Sequence, residues 1–284
     1  MKNILLIFIL SLCYANFSYQ SLLLPNSTYD LVSGYSQYSI SKKILFNEQI
    51  KNNVESSIIM LPQDIQTTSI DYMHSLFNYY HYFSINIIDY GQFTDSESNS
   101  TFSAKDIIIK NSILKKITNK LHGSLGVNYI NSHIEDYSSS ALCMQSALFI
   151  SHKNFLFQTS INNYGFIINH YTSYNEVLPT YYNFSIMYLP KYLESTILVQ
   201  YNSFEEYNIT NLFGELFITD DYSITAGYTS LAQKLYSEDF NSNFFTGVSI
   251  GLNIEYKDYI FNIGIKNLGS IGLINAITIN KSFN

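Results

Sequence analysis

The chain has 284 residues, a formal charge of −7 and 13% charged residues, set against 26 Tyr, 20 Phe and no Trp. Soluble chains usually carry about twice that share of charge, and an acidic balance without a basic patch argues against nucleic-acid binding. All 15 basic residues are lysine, beside abundant Ile, Asn and Tyr. AT-rich coding would give the same bias, so the aromatic richness has a compositional source as well as a structural one.

Residues 1–20 read as a Sec signal peptide: Lys2, an apolar core from Ile4 to Leu12, then small and polar residues. That core is too short to span a bilayer as a helix. Leu12 rather than a small residue precedes Cys13, which argues against lipidation. With this segment removed, Cys143 is alone and no intrachain disulfide can form. Elsewhere no stretch reaches the roughly 18 continuous apolar residues that a membrane helix needs, so any spanning falls to strands.

Residues 21–55 form an N-terminal segment with little alternation, including Lys42-Lys43 and the polar run Asn47 to Asn53. A surface segment, a short helix and a plug inside a barrel all fit it. From residue 56 to 284 one strand-like stretch follows another: Ser56–Leu61, Ser69–Ser75, Tyr80–Tyr90, Phe102–Leu114, Lys120–Asn131, Ser139–Ser151, Asn154–Gly165, Tyr181–Leu189, Glu194–Phe204, Ile209–Thr219 and Tyr222–Thr229, then three at the C-terminus. In two of them the period of two is unbroken. Leu125, Val127 and Tyr129 alternate with Ser124, Gly126 and Asn128, and Tyr222, Ile224, Ala226 and Tyr228 alternate with Ser223, Thr225 and Gly227. Short connections such as His152-Lys153-Asn154 and Thr219-Asp220-Asp221 suit a periplasmic side. Phe93–Thr101, Ile167–Thr180 and Leu231–Asn243 are longer and polar, as outer loops are.

The C-terminal run is the most regular. Val248, Ile250, Leu252, Ile254 and Tyr256 alternate with small or polar residues, the pattern restarts at Tyr259, and a last strand ends on Phe283, one residue from the C-terminus. A soluble sandwich would show the same periodicity. An alternating strand that ends on an aromatic, behind a signal peptide, instead resembles the terminal strand that outer-membrane assembly machinery reads, with Phe283 as the assembly signal. The expected fold is therefore all-β: a transmembrane antiparallel β-barrel of about fourteen strands with an N-terminal plug or short helical segment, in the outer membrane of a Gram-negative bacterium.

Three motifs carry a family resemblance: Asp89-Tyr90-Gly91-Gln92-Phe93-Thr94-Asp95, Phe102-Ser103-Ala104-Lys105-Asp106, and Glu135-Asp136-Tyr137-Ser138-Ser139-Ser140-Ala141. In order and spacing they resemble the PorV/PorQ family of Bacteroidota outer-membrane proteins, PorQ being the closer branch. Glu176-Val177-Leu178-Pro179 and Gly247 to Phe283 fall where PorQ-type members have an E-x-L-P loop and a Gly-rich final pair of strands. The resemblance covers roughly Ser69 to Phe283. It implies a fourteen-stranded FadL-like barrel and a part in type IX secretion, with a sortase-like protein and other attachment-complex subunits as partners and secreted proteins bearing a C-terminal sorting domain as cargo. It implies no active site and no cofactor. The family's usual N-terminal motifs are not found between Ser21 and Val54, which leaves the plug region outside the resemblance.

Other chemistry has weaker support. The six histidines show no metal-ligand spacing. His122 and Ser124 share one face of a strand, which a lipid-acting hydrolase would place at the outer rim, but no acid is positioned to orient the histidine. Asp89, Asp95, Glu97 and Glu135-Asp136 would hold a divalent cation only if their loops met; solvated loop charge is the simpler reading. Two functions therefore compete: a non-enzymatic secretion component, and a FadL-like transporter of hydrophobic small molecules. A lateral gap in the wall favours the second, and a blocked lumen with aromatic outer loops favours the first.

Overall fold

The computed structural model describes residues 18–34, 37–46, 51–76, 79–94, 101–171, 176–231 and 245–283. Most of the signal-peptide reading, together with Asp95 and Glu97, lies outside the described residues. Fourteen strands form one closed antiparallel barrel. They are β1 (Asn52–Met60), β2 (Gln66–Leu76), β3 (Tyr79–Thr94), β4 (Thr101–Lys116), β5 (Leu121–Ile134), β6 (Tyr137–His152), β7 (Phe155–Asn169), β8 (Tyr181–Tyr188), β9 (Ser195–Ser203), β10 (Asn208–Phe217), β11 (Tyr222–Thr229), β12 (Val248–Tyr256), β13 (Tyr259–Asn267) and β14 (Leu273–Phe283). Each pairs with its neighbours in sequence, and β1 closes on β14 from Asn52↔Phe283 to Met60↔Asn275. Closure leaves no strand edge unpaired along the seam, the condition for crossing a hydrocarbon layer.

The period of two sorts the side chains inside out. On β5, Leu125 is 71% exposed on the outer wall, while Asn128 on the lumen face is 3% exposed and Ile130 beside it 0%. Outward isoleucines, leucines and aromatics continue around the barrel, and inward serines, threonines and amides are buried. Hydrocarbon is the medium that suits such a wall. At the end that carries both strand termini, Lys115 lies over the ring of Tyr79, Lys257 over Tyr256, and Lys281 over Tyr259 and Phe283. Lysines over an aromatic girdle keep their charge in the interface while their stems cover apolar surface.

The N-terminal segment lies inside this wall. It comprises a 3-10 turn (Gln20–Leu23), helix α1 (Thr28–Ser33) and helix α2 (Tyr38–Phe46). Its hydrogen bonds reach Ser69 on β2, Thr278 on β14, Ser249 on β12, Asn211 on β10 and Gln158 on β7, and a segment that bonds strands on all sides is within the barrel. Of the three readings open for this segment, the structure shows the short helix and the plug together. Helix α1 opens on the N-cap Ser27, whose Oγ accepts from Asp30 N–H, while Asn26 N–H, one residue before the cap, donates to the Asp30 carboxylate, both at 3.2 Å. It stops at Gly34, which takes a left-handed conformation at φ 66° and donates its N–H to Asp30 O. Helix α2 sets Tyr38, Ile44 and Leu45 against Met73, Leu114, Phe149, Leu156, Met187, Leu198 and Phe213, an apolar patch on the lumen face.

β1 begins at Asn52, inside the polar run assigned to the N-terminal segment. A seam strand at the water-facing rim gains its stability from backbone pairing and does not need apolar residues there, so alternation gave no sign of it.

Candidate functional site

The plug divides the lumen into two spaces. The larger, about 1100 Å³, is a vestibule at the end carrying the termini, lined by Asp30, Tyr38, Lys42, Glu55, Asp71 and the turn from Pro190 to Glu194 among others. Above α1 lies a chamber of about 300 Å³, between the leucines of the N-terminal turn and an amide-rich wall of β5 to β10. Asp30 lines both, so the first turn of α1 is the partition between them. Burial pushes the Asp30 carboxyl up to about 7, against the opposing effects of the Asn26 N–H and the Lys110 charge.

A third hollow, about 660 Å³, opens on the outer wall, and Ser112, Leu125, Gly126, Met144, Tyr164 and Tyr182 are among its lining residues. Gln145 lines both this pit and the lumenal chamber. The backbone explains the thin wall. Ser146 pairs with Ile161 but Met144 pairs with Tyr164, so Asn162 and Asn163 of β7 stand opposite Gln145 alone. Asn163 has φ 56°, and beyond this bulge β7 stays paired with β6, from Tyr164 opposite Met144 to Asn169 opposite Ser140. β8 starts only at Tyr181 and its ladder with β7 ends at Asn162, so above that point the two strands are joined by Asn163 Nδ2 to Pro179 O and Thr180 Oγ1 to Asn163 O. Across the pit, Gly126 has no side chain to close it; a β-carbon there would meet Gln145 at 2.7 Å and Ser112 at 2.8 Å.

The plug is latched on Glu215, whose side chain is fully buried. Its carboxylate accepts from Tyr38 Oη at 2.5 Å, Ser223 Oγ at 2.7 Å, Lys42 Nζ at 2.9 Å and Tyr29 Oη at 3.1 Å. Burial first, and the Glu215 charge second, hold both plug phenols well above the usual tyrosine range, so they remain donors.

The residues that carry the family resemblance gather at the opposite, long-loop end. Asp89 accepts from Gly91 N–H at 2.9 Å and lies 3.5 Å from Lys105 Nζ, Tyr90 Oη donates to Asp106 at 2.9 Å, and the Phe93 and Phe102 rings stack at 5.4 Å. Gly91, with φ 78°, sits in a break of register between β3 and β4, in the left-handed conformation that glycine adopts without strain. Glu135 N–H donates to Ser103 O at 3.1 Å. Ser139 meets Tyr19 Oη and donates to Glu176 at 3.0 Å. Ala104 is buried, and Tyr137 is exposed at the rim. Phe283 sits at the other end, on the outer wall beside the closing seam.

His122 and Ser124 do share the lumen face of β5, but His122 lies at the end of the short turns, opposite Phe149, and not at the outer rim that a lipid-acting hydrolase requires. Among the described residues no three His, Cys, Asp or Glu side chains converge as metal ligands. Gln145, the Asn162-Asn163 bulge and Asp30 escaped the sequence reading. The interrupted alternation from Ile161 to Tyr164, two polar residues where one is due, was the available sign of the bulge.

No protein-family model matches the chain, and no curated protein matches it in sequence. Solved structures do match. The P. putida toluene transporter TodX aligns over 92% of this chain and 99% of its own at TM-score 0.65 and 9% identity. The Ralstonia pickettii toluene transporter TbuX aligns over 93% and 99% at TM-score 0.62 and 7% identity. A Pseudomonas aeruginosa FadL homologue aligns over 92% and 95% at TM-score 0.54 and 8% identity. At these identities the likeness is one of fold, and the fold is that of the FadL-like fourteen-stranded barrel.

Proposed function

We propose that this chain is an outer-membrane transporter of a Gram-negative bacterium that takes small hydrophobic molecules through the side of its wall and releases them at the end carrying its termini. The observation that carries this reading is the chain of spaces. The outer pit shares Gln145 with the chamber, and the chamber shares Asp30 with the vestibule. An apolar solute reaches the pit from the lipid without crossing the polar long-loop end, and then meets one movable side chain and one helical turn. The fold shared with the two toluene transporters supports the reading.

The test fills the pit from outside. Ser146 faces the lipid within it, and Ser146→Trp leaves the lumen untouched. Proteoliposomes of the folded variant should take up toluene several-fold more slowly than wild type; unchanged uptake would remove the lateral route.

A second reading, the type IX secretion role implied by the PorV/PorQ resemblance, draws support from three contacts at the long-loop end, Gly91 N–H to Asp89, Tyr90 to Asp106 and Ser139 to Glu176. On this reading that rim holds a sortase-like partner and passes on secreted cargo in a Bacteroidota-like bacterium. Mass spectrometry of what co-purifies from gently solubilised outer membranes decides it. Recovery of a sortase-like protein supports the role, and a barrel that emerges alone removes it.

A further inference from the structure

The rim at the short-turn end, the periplasmic end in barrels of this kind, is uneven in charge. In the turns 189–194, 218–221 and 257–258, Glu194, Asp220, Asp221 and Asp258 stand against Lys191 and Lys257. The turns 117–120 and 153–154 carry Lys120 and Lys153 and no acid. The strands that flank them add none: there is no Asp or Glu from Tyr72 to Ile88, from Ile107 to Ile134 or from Tyr137 to Asn175. The sector of rim built by β2 to β7 is therefore basic, without a carboxylate on its outer face. Asp71, just above it on β2, is 5% exposed and turned to the lumen side, where Tyr82 Oη donates to it at 2.9 Å.

The basic groups of this sector lie at the lipid boundary. Lys115 Nζ sits 5.0 Å from the centroid of the Tyr79 ring, which is exposed on the outer wall. His74 pairs across β2 and β3 with His81, and the Tyr72 ring stacks on His74 at 6.1 Å. Lys120 O accepts from Ser151 N–H at 2.8 Å, which fastens the β4–β5 turn to the end of β6, two residues from Lys153. Among the described residues none of Lys115, Lys120 and Lys153 forms an ion pair. Toward the long-loop end the same face turns apolar, with Ile70, Phe83, Ile85 and Ile113 exposed.

Ammonium groups over an aromatic girdle, with bare hydrocarbon-facing wall behind them, match a lipid whose phosphate lies at the girdle and whose chains lie along the wall. A zwitterionic headgroup brings its own ammonium, for which this sector offers no carboxylate. An anionic phospholipid brings only the charge that the lysines lack. A periplasmic protein would meet Lys120 and Lys153 in the turns, but Lys115, His74 and His81 face the layer where lipid packs. We propose that this sector selects anionic phospholipid from the periplasmic leaflet, with phosphates facing Lys115, Lys120 and Lys153 and acyl chains along Phe83 and Ile113.

The test counts the lipid that stays with the protein. The full-length folded barrel is placed in nanodiscs of equal parts phosphatidylglycerol and phosphatidylethanolamine with the same acyl chains, then released for native mass spectrometry. Phosphatidylglycerol should be retained several-fold over phosphatidylethanolamine, and the preference should fall as salt in the nanodisc buffer rises, because charges at an exposed rim are screened. Lys115→Gln with Lys120→Gln and Lys153→Gln keeps the stems and should abolish the preference. Lys191→Gln with Lys257→Gln and Lys281→Gln, on the acid-bearing side, should leave it intact. Equal retention of the two lipids by wild type overturns the proposal, and so does a preference that the first triple variant keeps or the second loses. Displacement of the lipid by excess inorganic phosphate overturns it as well, since a site that takes the free ion needs no acyl chain. If the first triple variant fails to fold, the wild-type ranking and its salt dependence decide.

Discussion

Val32 of helix α1 and Gly227 of strand β11 meet backbone to backbone: a β-carbon on Gly227 would collide with the Val32 carbonyl oxygen, which itself accepts from Ser249 Oγ at 2.8 Å. Two more glycines on the neighbouring strands continue the surface. A β-carbon on Gly264 would lie 3.0 Å from Val32 Cγ2, and one on Gly251 3.3 Å. The three glycines form a smooth groove in the wall that lets α1 seat flush against it.

Filling that groove should unseat the helix without opening the barrel. Gly227→Val forces α1 away from β11, an overpacking cost of about 1–3 kcal/mol. Limited proteolysis of the purified barrel should then cut near Gly34, while wild type stays intact there and both keep the heat-dependent gel mobility of a folded barrel. Equal resistance of the two would mean that the helix is not held by this contact.

Glu215 holds the plug from the other side. Breaking a buried ion pair by removing one partner costs about 3–5 kcal/mol, because the remaining polar groups are left unpaired. Glu215→Leu strands Lys42, Tyr29 and Tyr38 at once and should lower stability to urea by that order. Adding Lys42→Met and Tyr38→Phe should recover much of the loss, since a well-packed apolar replacement of a buried pair is often neutral. A triple variant no more stable than Glu215→Leu would show that Glu215 stabilises through something other than Lys42 and Tyr38.

The partition residue Asp30 gives docking of the plug a pH dependence whose sign is fixed. Released to water its carboxyl ionises near 3.8, and docked it is pushed up to about 7 by burial. The docked form therefore holds the extra proton. As pH rises from about 4 to 7 docking weakens, and above 7 the loss is constant. Hydrogen exchange of the α1 amides, corrected for intrinsic rates, should show more protection at pH 5 than at pH 7.5, and Asp30→Asn should flatten the slope. Protection that grows with pH would refute the assignment.

The wall was legible because hydrocarbon outside and amides or hydroxyls inside impose a period of two, so that Leu125, Val127 and Tyr129 could be read against Ser124, Gly126 and Asn128 without a structure. The same rule hid the interior site. Leu114, Phe149, Leu156 and Phe213 face inward yet are apolar, because helix α2 covers them, and a strand greasy on both faces tells nothing of which residues meet a plug. The helices themselves are short, six and nine residues. Their stability comes from packing against the wall rather than from propensity, so their own sequence signals them weakly. Gln145 offered no sign at all, since its role arises from the register shift of a neighbouring strand.

The last residues of the segment read as a signal peptide take part in the fold. Ser18 N–H donates to Val177 O at 2.9 Å, and Tyr19, in a left-handed conformation at φ 58°, places its hydroxyl on Ser139 while its ring joins the cluster of Ile88, Ile108, Ile130 and Leu178 at the long-loop end. Burial first lifts the Tyr19 phenol to about 12, so it stays a donor throughout the physiological range. A processing site after Gln20 would discard these contacts and leave Ser139 and Leu178 with no cover from the N-terminus. We therefore expect Edman sequencing of the mature protein to begin at or before Ser18. Tyr19→Ala should cost about 3–5 kcal/mol, the range for truncating a large aromatic in a core, whereas Tyr19→Phe should cost about 0.5–1.5 kcal/mol for its hydrogen bond. A mature chain that starts at Ser21 would place the contacts of Tyr19 in the precursor alone.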